Sequence, residues 1–121
     1  MGKFLNQYPL EERTALFSEK IVNLCKKVPK SIITNPIIDQ LIRSGLSIGA
    51  NYCEANGASS KKDFMNKIFI CKKEGKETMY WLRVLAKTVE ELSEECRILY
   101  QEAHELVMIF TKIAYKLKNN I

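Results

Sequence analysis

Hydrophobic residues recur along this chain at intervals of three and four positions, which is the spacing of one face of an α-helix. No stretch shows the period-two alternation that is typical of a β-strand. Polar breaks at residues 29–36, at 56–60 and near 90–93 divide the pattern into four segments. The pattern therefore predicts four helices, roughly at residues 10–28, 35–56, 61–89 and 94–118.

The third segment has the longest and most regular apolar seam. Its members alternate in spacings of four and three, as in a heptad repeat: Phe64, Ile68, Cys71, Gly75, Thr78, Leu82, Leu85 and Val89. Four such helices joined by short connections predict an all-α fold, an antiparallel up-down-up-down four-helix bundle. A chain of 121 residues suits one domain of this kind, spanning residues 1–121.

Short polar residues and glycine mark the predicted helix ends. Thr34 or Asn35 is expected to be the N-cap of the second helix, and Gly57 its left-handed C-terminal cap. Ser60 begins a motif close to a capping box at the start of the third helix. Ser93 is the expected N-cap of the fourth helix.

The second predicted helix carries a line of polar residues on an otherwise apolar surface. On a helical wheel, an arc of about 80° holds five of them: Gln40, Arg43, Ser47, Asn51 and Glu54. Because nearly all other positions are apolar or small, we expect this helix to be buried on most sides. Buried polar groups need internal partners, since an unpaired one costs several kcal/mol. We interpret this polar stripe as a device for assembly or for recognition of a partner.

The stripe also predicts a specific ion pair. Arg43 and Glu54 lie on the same arc but three turns apart, so each needs a partner on another helix or another subunit. Glu77 of the third helix is the expected partner of Arg43. If this pair joins subunits, the substitution Arg43→Ala should dissociate the assembly and leave the helices folded.

Positive charge is concentrated on the third helix. The chain has a net charge of +5, and residues 60–89 hold eight basic and three acidic side chains. Seven of the basic residues share one arc, which we call the basic face: Lys61, Lys62, Lys72, Lys73, Lys76, Arg83 and Lys87. Met65, Phe69 and Tyr80 lie within the same arc. This combination is typical of surfaces that contact phosphates and stack bases, although a solvated face that serves solubility is the alternative.

A further sector of the third helix, outside both its core seam and the basic face, holds Asn66, Ile70, Glu74, Glu77, Trp81, Val84 and Thr88. A single bundle has one core, so apolar residues on another face are free to contact a partner. We therefore interpret Ile70, Trp81 and Val84 as subunit-interface residues. The alternative is that the loops of the bundle cover them.

Residue spacing argues against metal or catalytic chemistry. The single histidine, His104, has Gln101 three positions before it, so the Glu-x-x-His pattern of a di-iron bundle is missing. Gly45 and Gly49 are wrongly spaced for a phosphate-binding loop and are expected to be points of close helix–helix contact. We expect no catalytic residues, no metal, no cofactor and no enzyme activity.

Cysteine usage and hydropathy bear on the compartment. Four cysteines, at positions 25, 53, 71 and 96, form no Cys-x-x-Cys pair and fall on apolar helix positions. We expect them to be buried free thiols in a reducing compartment. No apolar run approaches the ~20 residues of a membrane span, and the N-terminus becomes polar too soon for a signal peptide. The expected location is the cytoplasm, without membrane contact.

Three motifs together resemble a known family. They are Arg43-Ser44-x-x-Ser47-Ile48-x-Ala50-Asn51-x-x-Glu54, then Ser60-x-x-Asp63-Phe64, then Lys73-Glu74 with Glu77 and Trp81-Leu82. Over roughly residues 10–117 the chain is similar to the bacterial four helix bundle proteins, also called the 23S rRNA intervening-sequence protein family. By this resemblance, Arg43, Ser47, Asn51 and Glu54 match the polar stripe of the family and Glu77 its helix-three glutamate.

The resemblance also implies partners. Relatives in this family tend to form ring-like homopentamers, so a homo-oligomer is expected, with the pentamer as its form. Some relatives are encoded inside intervening sequences of 23S rRNA genes. Others are similar to the accessory protein of diversity-generating retroelements, which partners a reverse transcriptase and nucleic acid. The resemblance implies association with nucleic acid and establishes no activity.

Two functions follow as hypotheses from the sequence. The first is a non-enzymatic, ring-like homo-oligomer that associates with RNA or DNA through the basic face. The alternative is a protein–protein adaptor or accessory subunit, for example for a reverse transcriptase or another co-encoded protein, with no direct role in nucleic-acid binding. Charge reversal on the basic face distinguishes them, because only the first function depends on those charges.

Overall fold

Four long helices make up most of the protein. The computed structural model describes residues 7–119, and no strand occurs within that range. A 3₁₀ turn over Glu90–Leu92 precedes the last helix. The four helices are α1 Leu10–Lys26, α2 Thr34–Asn56, α3 Lys61–Thr88 and α4 Ser93–Asn119. The predicted bounds agree with these to within two residues, and the all-α four-helix fold is confirmed.

The helices run antiparallel to their neighbours, in the predicted up-down-up-down order. α3 packs extensively on α2 and on α4, whereas α1 packs mainly on α2 and only lightly on α4. The core seam predicted for α3 is buried, except that Phe64 at its start is only partly covered. Phe17 of α1 and Phe110 of α4 are fully buried and fill the core beside this seam.

Glycines allow the helices to approach closely. A Cβ atom on Gly45 would lie 3.1 Å from Ile21 of α1, so the predicted contact at that glycine is present. Gly49 is equally close to α1, 3.3 Å from the backbone oxygen of Thr14. The tightest approach is at Gly75, where a Cβ atom would lie 2.6 Å from Val107 of α4. A larger residue at Gly75 would therefore require the Val107 side chain or the α3–α4 packing to shift.

The start of α2 differs from the prediction. The N-cap is neither Thr34 nor Asn35, because Thr34 is already helical. The Ser31 hydroxyl instead accepts hydrogen bonds from the backbone N–H groups of Ile33 and Thr34, at 3.2 and 3.0 Å. The capping side chain thus lies before the predicted one, since the loop already turns at Ser31.

Of the other three predicted helix caps, one is confirmed and two are wrong. The prediction for Ser60 is confirmed, because its side chain accepts a hydrogen bond of 3.0 Å from the backbone N–H of Asp63. Gly57 is not a left-handed cap, since its φ of −99° is open to any residue. Ser93 is not an N-cap, because the preceding 3₁₀ turn already places it in a helical conformation, at φ −60° and ψ −36°.

The cysteines are free thiols, as expected, but only three of them are buried. Burial raises the pKa of Cys25 and of Cys96 to about 11 and the pKa of Cys71 to about 12. Cys53 is exposed, so its predicted burial is wrong. It lies on the side of α2 that faces Glu11, whose carboxylate accepts a 3.9 Å contact from the thiol.

Candidate functional site

The basic face extends along the outer side of α3. Six of its seven side chains are exposed and Lys72 is half-buried. Among residues 7–119, none of the seven takes part in an ion pair. Phe69 and Tyr80 are 48% and 58% exposed, and eleven residues of helix place them ~16 Å apart on nearly the same line. The structure thus places unpaired cations and exposed aromatic rings on one surface.

Two shallow surface hollows meet at Arg83. One is bordered by Tyr80 and Lys87 on α3. The other extends onto α4, where Arg97 and Tyr100 border it. We call the group formed by Tyr80, Arg83 and Tyr100 the tyrosine platform. Sequence reasoning missed Tyr100, because the wheel of one helix cannot show which residues of another helix adjoin it.

The polar stripe of α2 is less buried than the sequence predicts. Gln40, Arg43 and Glu54 are exposed, and Ser47 and Asn51 are half-buried. The reason is that α2 packs mainly on α1 and α3, which leaves the side that carries the stripe partly uncovered in a single chain. The side-chain amide of Asn51 has a partner within its own helix, because it donates a 2.9 Å hydrogen bond to the backbone oxygen of Ser47.

The charged members of the stripe find their partners on α3 of the same chain. Arg43 donates to Glu74 at 3.2 Å and also to Glu77, so the pair predicted from the sequence is present. Glu54 accepts a 2.8 Å hydrogen bond from Lys67. Arg43 holds the pKa of Glu77 below its usual range by hydrogen bonding. Three ion pairs therefore join α2 to α3, and the role of the stripe in assembly stays a prediction.

A chain of contacts connects the stripe to the basic face. The indole N–H of Trp81 donates to the Glu77 carboxylate at 3.2 Å, so Arg43 and Trp81 share one acceptor. The Trp81 ring in turn meets the ring of Tyr80 edge to face, with centroids 5.0 Å apart and planes at 80°. This is one of the favoured geometries for an aromatic pair, so the contact favours the observed orientation of the Tyr80 ring.

The sector interpreted as a subunit interface is neither fully buried nor fully exposed. Ile70, Trp81 and Val84 are all half-buried. Trp81 and Val84 pack against the core of their own chain, while Glu74 of the same sector is buried. Part of each apolar side chain thus remains available for a partner, and the predicted interface role remains a prediction.

Comparison with known proteins assigns the family. The family model described as 23S rRNA-intervening sequence protein matches residues 10–112. The chain belongs to this family. A crystal structure from Bacteroides thetaiotaomicron, of a protein with unknown function from the S23 ribosomal protein family, is 33% identical in sequence. The similarity covers 88% of this chain and 98% of that chain, with a TM-score of 0.78. A search of curated proteins finds no match.

Membership in the 23S rRNA-intervening sequence protein family confirms the resemblance read from the three sequence motifs. In this family member, two further observations concern metal binding and membrane spanning. Within the part of the chain that the structure describes, no three His, Cys, Asp or Glu side chains are grouped so as to hold a metal ion. No helix in that same part is long and apolar enough to cross a membrane.

The most deeply buried ion pair of this family member lies between α1 and α4. Arg13 donates two hydrogen bonds to Glu102, at 2.7 and 2.8 Å, and a third to Glu105 at 2.8 Å. Glu102 is 1% exposed and Arg13 is 6% exposed. Sequence reasoning missed this pair, although a signal exists: Glu102 follows Leu99 by three residues and precedes Leu106 by four, on the core side of α4.

Removal of the Arg43 side chain tests the stripe of this family member. We expect Arg43→Ala to lower the free energy of unfolding by about 1–2 kcal/mol, because it leaves the buried Glu74 carboxylate without a cation. Urea denaturation of the variant and the wild type measures the difference. The matched control is Arg97→Ala, which breaks an exposed pair with Glu94 and should change stability much less.

The same samples test the assembly hypothesis. Light scattering of the Arg43→Ala protein should report a smaller mass than the wild type, with helical content unchanged by circular dichroism. An Arg43→Ala protein of native oligomer mass would exclude Arg43 from the interface.

Proposed function

We propose that this protein is a non-enzymatic, homo-oligomeric helical bundle, arranged as a ring, that associates with nucleic acid through the basic face. The observation that carries the proposal is the row of seven basic side chains on α3, none of which is paired with an acid within residues 7–119. Unpaired lysines and arginines on one side of a protein attract the phosphates of a nucleic acid.

A ring of copies would strengthen this attraction. A single helix offers few phosphate contacts, so the affinity of one subunit is expected to be low. When several identical faces bind one strand or duplex, each further contact is intramolecular and the overall affinity rises without new chemistry. The pentamer that the family resemblance implies would present five such faces. Apolar side chains left partly uncovered on α3, namely Ile70, Trp81 and Val84, are the proposed contacts between subunits.

Salt dependence is the direct test of this function. Fluorescence anisotropy with labelled RNA and DNA, single- and double-stranded, should detect binding at ~50 mM salt. If about four phosphates are contacted, raising the salt to ~200 mM should weaken binding by roughly 50- to 150-fold, because each contact releases a counterion. Light scattering under both conditions should give the same oligomer mass, so that the change reports binding rather than dissociation.

An adaptor function is the second candidate, supported by the partly exposed Ile70, Trp81 and Val84. In that case the basic side chains would be ordinary solvated groups and a protein would bind the apolar sector. An intact oligomer that binds neither RNA nor DNA at ~50 mM salt would contradict the nucleic-acid proposal and favour the adaptor.

A further inference from the structure

The tyrosine platform carries an inference about which kind of nucleic acid binds. Tyr80 is 58% exposed and Tyr100 is 37% exposed, and Arg83 borders both of the surface hollows that these two tyrosines border. Two exposed aromatic rings near one guanidinium group offer flat apolar surfaces beside a cation that suits a phosphate. That arrangement suits a base and its backbone phosphate together.

The ring of Tyr80 has an aromatic neighbour that favours one orientation of the ring. Its neighbour Trp81 contacts it edge to face, at 5.0 Å between centroids. Trp81 is fixed in turn by its hydrogen bond to Glu77, which Arg43 also contacts. An aromatic ring that is already oriented loses little conformational freedom when a flat group stacks on it, so the affinity gained from stacking is larger.

Only an unpaired base can use such rings. In a duplex the faces of the bases are stacked on one another, and a protein reaches their edges or the phosphates. In a single strand the faces are accessible and stack readily on aromatic side chains. We propose, as a refinement that rests on the proposed function, that the tyrosine platform binds single-stranded nucleic acid, with bases stacked on Tyr80 and Tyr100 and a phosphate on Arg83.

Four probes of about 12 nucleotides separate stacking from charge. They are a single-stranded RNA, a single-stranded DNA, the corresponding DNA duplex, and an abasic strand that keeps the sugar-phosphate chain but carries no bases. The full-length oligomer should bind both base-bearing single strands about 100-fold more tightly than the abasic strand, because the abasic strand loses about tenfold for stacking on each of the two tyrosines. The duplex cannot stack on the tyrosines either, so its binding, like that of the abasic strand, should depend on charge alone.

Substitution of single tyrosines by leucine tests whether the bases stack on Tyr80 and Tyr100. Tyr80→Leu and Tyr100→Leu should each weaken single-strand binding by about tenfold and leave binding of the abasic strand unchanged. Tyr115→Leu is the matched control, since Tyr115 is 68% exposed on α4 but does not border the hollows at Arg83. All three positions are on the surface, so circular dichroism should confirm the same fold for each variant.

Trp81 supplies an intrinsic signal. It is the single tryptophan of the chain and contacts the Tyr80 ring, so a base stacked on Tyr80 should change its fluorescence. Titration with single-stranded DNA should produce this change, and titration with the abasic strand should not. The inference is overturned if Tyr80→Leu and Tyr115→Leu bind single strands equally, or if the abasic strand binds as tightly as the base-bearing strands. Absence of binding by all four probes would overturn the proposed function as well.

Discussion

Reversal of three charges on the basic face is expected to weaken nucleic-acid binding by at least about 100-fold at ~50 mM salt. The variant combines Lys72→Glu, Lys76→Glu and Arg83→Glu, all on the outer side of α3. Each change removes a phosphate contact and adds a negative charge that repels the backbone. Fluorescence anisotropy against the same labelled RNA and DNA measures the loss, and circular dichroism checks that the helices are intact.

A second triple variant controls for net charge. Lys26→Glu, Lys30→Glu and Lys112→Glu change the total charge by the same amount, at exposed positions outside α3. This control should retain most of the affinity, because contact with phosphates is local and at ~50 mM salt more distant charges are screened over about 14 Å. Equal losses in the two variants would mean that total charge, rather than the basic face, determines binding. If the variant with three reversed charges on the basic face still binds a protein partner, that result would favour the adaptor function.

Removal of the buried Glu102 carboxylate is expected to cause the largest loss of stability, about 3–5 kcal/mol. Glu102→Ala leaves Arg13 in the α1–α4 contact without the bidentate acceptor that lies 2.7 and 2.8 Å from it. In the wild type, the hydrogen bonds that Glu102 accepts raise the pKa of Arg13. In the variant the guanidinium still stays charged, because arginine keeps its proton in proteins, so the cost of burying the charge is not relieved by deprotonation. The melting temperature should fall by at least about 10 °C at a fixed protein concentration.

Two comparisons make this prediction specific. Glu105→Ala removes the other acceptor of Arg13, but its side chain is 39% exposed and the bidentate pair remains, so the loss should be at most about 1 kcal/mol. The double variant Arg13→Met with Glu102→Leu should recover much of the stability lost in Glu102→Ala, because it replaces the buried ion pair with apolar packing. If the double variant is less stable than Glu102→Ala, then desolvation of an unpaired charge does not explain the stability lost in Glu102→Ala.

Several features of the site followed from local sequence pattern. The seam of α3 and the basic face were both predictable, because the rotation of a helix determines which residues share one side. The Arg43–Glu77 pair was predictable because Arg43 needs a partner outside its own helix and Glu77 lies on α3 outside both the core seam and the basic face. The cap at Ser60 was predictable from Asp63, three positions later, since a capping contact has this short spacing.

Other features depended on the approach of one helix to another. The burial of α2 was overestimated, because apolar composition does not reveal how many neighbours a helix has in one chain. The Arg13–Glu102 pair was missed because its partners are 89 residues apart. Tyr100 was missed for the same reason, since only the packing of α4 on α3 brings it beside Arg83.

The sequence by itself determined the four helices, their antiparallel order, the family and the charged surface of α3. Each of these follows from the spacing of residues along the chain, which the geometry of a helix converts directly into faces. Only the tertiary structure decided which residues of different helices meet, and so which cations are paired, which carboxylates are buried and which aromatic rings flank Arg83. Those outcomes depend on helix separation and rotation, which arise from the packing of the whole core rather than from any one segment.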